Sequence, residues 1–357
     1  MSLRTPMVWS EACLQHVPSA EIWCGVRIDG TELPERATVI RSALAEAGAV
    51  EVAAAVHDDE VLRAVHDDGM LGFLQSGYQE WVEGGFLEDP GQDRIVPYVF
   101  PTAAMLAGLP VRLPVAVHGR AGRYAYDTMT LVGPGTWEAA RGAVDAALTA
   151  VDLVTSGKHR TAYALCRPPG HHVTRDGYGG SCYLNNAGVA AEALRRAGQQ
   201  RVAVVDIDAH HGNGTQMLFY DRGDVFYGSL HIDPAAGWFP HYMGHADERG
   251  RADGTGANRN VPLPPETPDE PWLDALASIV DDVRGFGADA VVVSLGVDAA
   301  ADDPESPLRI TEAGYRAGGA LVGALGLPTV AVQEGGYHLP SLGSLVRATV
   351  EGLESGA

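Results

Sequence analysis

Four short runs of apolar, largely β-branched residues each end in a cluster of polar side chains, and this pairing limits the possible folds more than any other feature. The runs are Thr161–Cys166 (TAYALC), Arg201–Asp208 (RVAVVDID), Ala288–Gly296 (ADAVVVSLG) and Leu327–Val332 (LPTVAV). Short runs that are apolar on both faces mark central strands of a parallel sheet. Between them lie segments with the spacing of one helix face. Thr136–Ser156 places Ala139, Ala140, Ala143, Val144, Ala147, Leu148 and Val151 on a stripe, with Gly157 set to close the helix. Asn186–Ala197 before Gly198 and Glu35–Ala47 before Gly48 repeat the form. Alternating units of this kind predict an α/β fold with helices on both sides of a mostly parallel sheet.

The chain of 357 residues can build one large α/β unit, and a single domain over 1–357 is expected. Residues 84–122 are rich in Pro and Gly and lack periodicity. They are too long for an ordinary connection and are read as a rim, a lid or a dimer contact. The formal net charge of −21 argues against general affinity for nucleic acid or an anionic membrane, and it is compatible with a cationic substrate. The cysteines at 13, 24, 166 and 182 form no CxxC pair, so no disulfide framework is expected. The N-terminal segment lacks the apolar core of a signal peptide. No apolar run reaches the ~18 residues of a membrane span. A cytoplasmic protein is the expectation.

In open α/β sheets, ligands bind beyond the carboxyl ends of the strands. Here those ends run into Arg167-Pro-Pro-Gly-His171-His172, Asp206-Ile-Asp208-Ala-His210-His211-Gly-Asn213, Gly296-Val-Asp298 and Glu334-Gly-Gly-Tyr337-His338. Residues two apart in an extended chain point the same way, so Asp206, Asp208 and His210 are expected to project from one side. Two carboxylates and an imidazole at a buried strand end are costly unless a cation neutralises them. Asp208 and His210 are the natural ligand pair, and Asp298 supplies a third. Three protein ligands leave a position open, which is the pattern of catalytic zinc. The adjacent imidazoles of His171 and His172 influence each other's protonation, so one can serve as a neutral base. Tyr337, flanked by glycines, can approach a ligand closely and donate to a developing oxyanion.

The motifs RPPGHH, GGSCYLNNAG, DIDAHHGNGTQ, SLHIDP, SLGVDAAADDP and EGGYH, in this order, resemble the histone deacetylase superfamily from about Leu33 to the C-terminal region. AYDTMTLVGPGTWEAA and GHADERGRADGTGANRNVPLP look more like bacterial acetylpolyamine amidohydrolases and class II-like deacetylases. The resemblance implies an arginase/deacetylase-like three-layer fold with a central, mostly parallel eight-stranded sheet. It implies Asp208, His210 and Asp298 as zinc ligands. His172 is implied as general base, His171 as its electrostatic partner and a candidate proton donor, Asp206 as the support of His171, and Asn213 as the contact of His172. Tyr337 is implied to polarise the scissile carbonyl. Asp127 falls where the family has a rim carboxylate that grips substrate amides, and Arg36 where it has an arginine lining an internal channel. Potassium is implied near Asp206, Asp208, His210, Ser229 and Leu230. The family's tunnel aromatic after Gly-Gly is replaced here by Ser181, beside Gly180, while Phe239 supplies the opposite wall.

The expected activity is removal of an acetyl group from an N-acetylated amine, an acetylpolyamine or a related small cationic amine. Deacetylation of acetyl-lysine in proteins, hydrolysis of another small amide, and a non-catalytic ligand-binding role are the alternatives. An arginase-like dimanganese hydrolase is disfavoured, because the chain offers DIDAHH and not a DAHxD pattern. A homodimer is implied by the use of the corresponding loop in related polyamine enzymes.

Overall fold

The computed structural model describes residues 2–356. Its strands are β1 (Met7–Trp9), β2 (Glu21–Trp23), β3 (Val26–Ile28), β4 (Glu51–Ala53), β5 (Thr161–Ala164), β6 (Val202–Asp206), β7 (Val225–Ile232), β8 (Asn258–Leu263), β9 (Ala290–Leu295) and β10 (Thr329–Gln333). Eight of them form one sheet in the order β4-β1-β5-β10-β9-β6-β7-β8. Every pairing in it is parallel. β2 and β3 make a separate antiparallel hairpin.

The four apolar runs become β5, β6, β9 and β10, the central strands, with every residue buried. Helices cover both faces, as parallel connections require. Thr136–Thr155 and Asn186–Arg196 pack together on one side; Glu35–Glu46, Asp269–Phe286, Glu312–Gly323 and Leu339–Gly356 pack on the other. Gly157, Gly198 and Gly48 all adopt positive φ just past the first, second and third helices predicted from the sequence.

The topology places the chemistry. From β6 the chain moves outward to β7 and β8, then returns to lay β9 on the other side of β6. Strand order reverses there, so the loops after β6 and β9 diverge and open a crevice. Asp208 follows β6 and Asp298 follows β9, one on each side of the crevice. β5 and β10 deliver His171-His172 and Tyr337 to the same edge.

Within residues 84–122 the chain forms two short helices, Ala103–Leu106 and Val117–Tyr124. Tyr98, Met105, Leu109, Leu113 and Val115 stand exposed along it. All four cysteines are free thiols. Among the described residues no helix is long and apolar enough to cross a membrane.

Candidate active site

The loop after β6 does not remain extended. The Asp208 N–H donates to Asp206 Oδ1 at 3.3 Å, and the His210 N–H donates to Asp208 Oδ1 at 2.9 Å. These local bonds bend the segment, so the three side chains part company. Asp206 turns to the interior, where its Oδ2 meets His171 Nδ1 at 3.1 Å and accepts from the Tyr227 hydroxyl at 3.0 Å. Asp208 and His210 turn toward Asp298.

Ligand atoms of Asp208, His210 and Asp298 all lie within 4.8 Å of one another. His210 Nδ1 is 3.0 Å from Asp298 Oδ2 and 3.4 Å from Asp208 Oδ1. Bonds of about 2.0–2.1 Å in a tetrahedron set ligand atoms roughly 3.3 Å apart, so this donor set fits a zinc-sized ion. Backbone amides fix the carboxylates: the Ala209 N–H donates to Asp298 Oδ1 at 2.7 Å, and the Gly335 N–H to Asp208 Oδ2 at 2.8 Å. Gly335 is required by crowding, since a Cβ there would lie 2.4 Å from Asp298 Oδ2 and 2.6 Å from Asp208 Oδ2. Burial penalises both carboxylates. For Asp298 that cost and the Asp208 charge push the carboxyl up to about 7. For Asp208 the flanking His171 and His210 win and hold it far below the usual carboxylate range. A buried cluster with this imbalance is one that a dication would stabilise.

The two adjacent histidines are driven apart in protonation. Their rings lie 4.0 Å apart. Burial disfavours charge on His171, yet Asp208 and Asp206 outweigh it and push its imidazolium up to about 10. His172 is held well below its ordinary value by burial, helped by the charges of His171 and His210. His172 Nδ1 sits 2.8 Å from Asn213 Oδ1. An amide oxygen only accepts, so Nδ1 carries the proton and Nε2 is left with the free lone pair. Glu334 Oε2 accepts from the N–H groups of Gly170 at 2.7 Å and His171 at 3.1 Å, tying the end of β10 to the histidine turn.

Tyr337 is aimed by two groups. Asp303 Oδ2 accepts from the N–H groups of Tyr337 at 2.7 Å and His338 at 3.1 Å. The Arg36 guanidinium lies 4.6 Å from the centroid of the Tyr337 ring. Arg36 also donates to the carbonyls of Gly336 and Glu334 and to Glu32 Oε1, each at 2.6 Å. Arg36 is almost fully buried and braces the Tyr337 turn. Burial keeps the Tyr337 phenol protonated far above its ordinary value, against the opposing pull of Arg36.

A cavity of about 510 Å³ leads to these groups. His172, His210 and Tyr337 line its inner part, with Gly180, Ser181 and Phe239 on its walls. The Phe239 ring meets His172 edge-on at 4.7 Å. Asp127 departs from expectation. Its Oδ1 accepts from the N–H groups of Met129 and Thr130, its Oδ2 from the Gly180 N–H and the Thr130 hydroxyl, and it lies outside the cavity lining. Oδ1 closes the turn of its own loop and Oδ2 ties that loop to Gly180, so this half-buried carboxylate spends both oxygens on protein donors. Ser229 stands opposite Asp206 in the β6–β7 register; its hydroxyl is 2.7 Å from His231 Nδ1, and Leu230 beside it is fully buried.

Sequence reasoning missed the carboxylates along the cavity: Glu21, Asp29 and Glu305. Glu21 and Asp29 belong to the β2–β3 hairpin region, which carries no motif. Glu305 directly follows Asp303-Pro304 and was within reach. Burial, then Glu305, pushes the Glu21 carboxyl up to about 7.

The histone deacetylase domain family matches residues 31–353. An acetylpolyamine amidohydrolase of Mycoplana ramosa is 39% identical over 348 residues, covering 97% of this chain and 99% of that protein. Acetylpolyamine amidohydrolase 1 of Pseudomonas aeruginosa is 37% identical over 351 residues, covering 98% and 99%. The crystal structure of an acetylpolyamine aminohydrolase from Burkholderia pseudomallei matches with a TM-score of 0.91 and 37% identity, over 99% of both chains. Agreement of sequence and fold over nearly the whole length shows that this chain belongs to the histone deacetylase family, on its acetylpolyamine-amidohydrolase-like side, and is a deacetylase-type hydrolase of amides.

Proposed function

We propose that this enzyme removes the acetyl group from small cationic N-acetylated amines, acetylpolyamines among them, with zinc held by Asp208, His210 and Asp298. The observation that carries the reading is the convergence of that three-ligand cluster with a neutral imidazole and a phenol in a cavity lined by Glu21, Asp29 and Glu305. The names of the relatives support the substrate class. A divalent ion held by this cluster supplies Lewis-acid polarisation of a carbonyl and acidifies water.

The remaining work falls to side chains. His172, with Nε2 free, takes the proton of the attacking water and returns it to the leaving amine. The Asp206 carboxylate, 3.1 Å from His171 Nδ1, favours the His171 imidazolium, which supplies positive field beside His172. The imidazolium charge also keeps His172 neutral at the start, so the pair divides into a base and a fixed cation. The Tyr337 hydroxyl donates to the developing oxyanion, a contribution of about 3 kcal/mol for one such donor. Carboxylates along the cavity attract the distal ammonium of the substrate.

Potassium is proposed beside the cluster at Asp206, Asp208, His210, Ser229 and Leu230; the register that sets Asp206 opposite Ser229 supports it. Residues 84–122 are proposed to meet a second copy of the chain, supported by their exposed apolar side chains. Acetate release from acetylputrescine, acetylspermidine and an acetyl-lysine peptide, measured side by side, tests the substrate reading. Preference for the small amines supports it, and preference for the peptide overturns it.

A further inference from the structure

Gly180 packs against the catalytic end of the cavity. A Cβ built there would lie 2.3 Å from His172 Cδ2 and 2.9 Å from Phe239 Cε1, so no side chain fits between. The next residue, Ser181, has φ +60° and also lines the cavity. Phe239 and Trp238 are the aromatic wall; the Ser181 wall carries only a hydroxymethyl group.

What lies past Ser181 follows from two hydrogen bonds. The Ser181 N–H donates to Thr130 Oγ1 at 2.8 Å, and the Thr128 hydroxyl donates to the Ile22 carbonyl at 2.7 Å. Residues 128–130 are thereby clamped between the Gly180–Ser181 turn and the β2–β3 hairpin. Met129 of this segment, and Trp23 and Ile28 of the hairpin, all line the same cavity. The short side chain at 181 therefore opens onto an apolar shelf, with Glu21 and Asp29 beside it. A volume of about 510 Å³ lies within the range of roughly 300–1,000 Å³ that holds drug-sized ligands. A slender linear amine leaves much of that space and the shelf uncovered.

We propose that Ser181 adapts the enzyme to acetylated arylalkylamines: amides joined through a methylene to an aromatic ring that carries a further cationic group. The methylene passes between Ser181 and Phe239, the ring covers the Met129–Trp23 shelf, and the cation reaches the carboxylates. This rests on the amide-hydrolase reading and narrows its substrate class.

The test uses two amides of matched nitrogen spacing, mono-N-acetyl-para-xylylenediamine and mono-N-acetyl-hexamethylenediamine. The wild type is expected to cleave the ring compound with kcat/KM at least equal to that of the linear one. Ser181→Phe should lower kcat/KM for the ring compound by roughly 10- to 100-fold more than for the linear amide. Should Ser181→Phe fail to fold at this positive φ, Ser181→Asn narrows the opening with a residue that tolerates the conformation. Binding of both amides, read from tryptophan fluorescence, gives the same comparison without turnover. Failure to hydrolyse either amide counts against the hydrolase reading, and the binding ratio then decides the shelf. A linear preference in the wild type, or equal losses for both amides in the variant, overturns the proposal.

Discussion

Arg36→Met is predicted to damage catalysis through Tyr337 without touching metal or substrate. The guanidinium is buried and makes three donor contacts of 2.6 Å, to Gly336 O, Glu334 O and Glu32 Oε1. Its loss leaves the Gly336 carbonyl without that donor, at about 1–3 kcal/mol for a buried polar group. The Glu334 carbonyl keeps the Gln333 amide at 3.1 Å. Glu32 keeps Arg167, whose Nε lies 2.9 Å from Glu32 Oε1, so no carboxylate is stranded and the full 3–5 kcal/mol of a broken buried pair does not apply. The desolvated guanidinium–ring contact adds about 2 kcal/mol, and relief from burying the charge offsets part of the total. The net expectation is a loss of about 3 kcal/mol in stability. Complete loss of one oxyanion donor costs about 10²–10³ in kcat. A loosened Tyr337 should therefore lower kcat roughly 10- to 100-fold with KM little changed. Arg36→Lys, which keeps charge but not the planar fork, should fall between. Steady-state kinetics, chemical denaturation and metal analysis on the same preparations provide the assay. Wild-type kcat, or stability within about 0.5 kcal/mol of wild type, would refute the bracing role.

Tyr337→Phe should lower kcat by about 10²–10³-fold while metal content stays unchanged; activity near wild type would remove the phenol from the mechanism. Glu21 is pushed up to about 7 by burial and by Glu305, so it is neutral below that pH and anionic above it. KM for a cationic amide should accordingly fall roughly 3- to 10-fold from pH 6 to pH 8, and Glu21→Gln should flatten the trend. Equal pH profiles in the two proteins would contradict this. Glu248 Oε2 accepts from the Gly244 N–H, the Gln216 amide and the Asn260 amide, while His231 Nε2 lies 2.8 Å from the Gly244 carbonyl, so Gly244 is held from both sides. Glu248→Gln should free the loop bearing Trp238 and Phe239, raise KM more than it lowers kcat, and speed proteolysis between residues 237 and 248. Unchanged KM and proteolysis would show the clamp to be idle.

The central sheet was legible because β5, β6, β9 and β10 are buried on both faces and therefore mostly apolar. β1 escaped notice because it is only three residues long, whereas β7 and β8 break that rule for physical reasons. β7 carries Ser229 and His231, and β8 carries Asn258 and Asn260, all buried in polar networks beside the site. A strand that contributes to a polar interior does not look like a core strand. The convergence of Asp208, His210 and Asp298 was legible because all three follow strand ends, where topology can bring them together. The roles of Asp127 and Arg36 were not, since motif position reveals neither which donors a carboxylate finds nor which carbonyls a guanidinium holds. The cavity carboxylates come from a hairpin and a loop whose placement depends on long-range contacts, such as the Thr128 hydroxyl on the Ile22 carbonyl.

Elemental analysis of the purified enzyme beside its Asp298→Ala variant tests the ligand assignment most directly. The wild type should carry one divalent ion per chain, and the variant should lose both ion and acetate release. An ion retained by the variant, two ions per wild-type chain, or full hydrolysis by stripped protein would contradict a three-ligand centre of Asp208, His210 and Asp298.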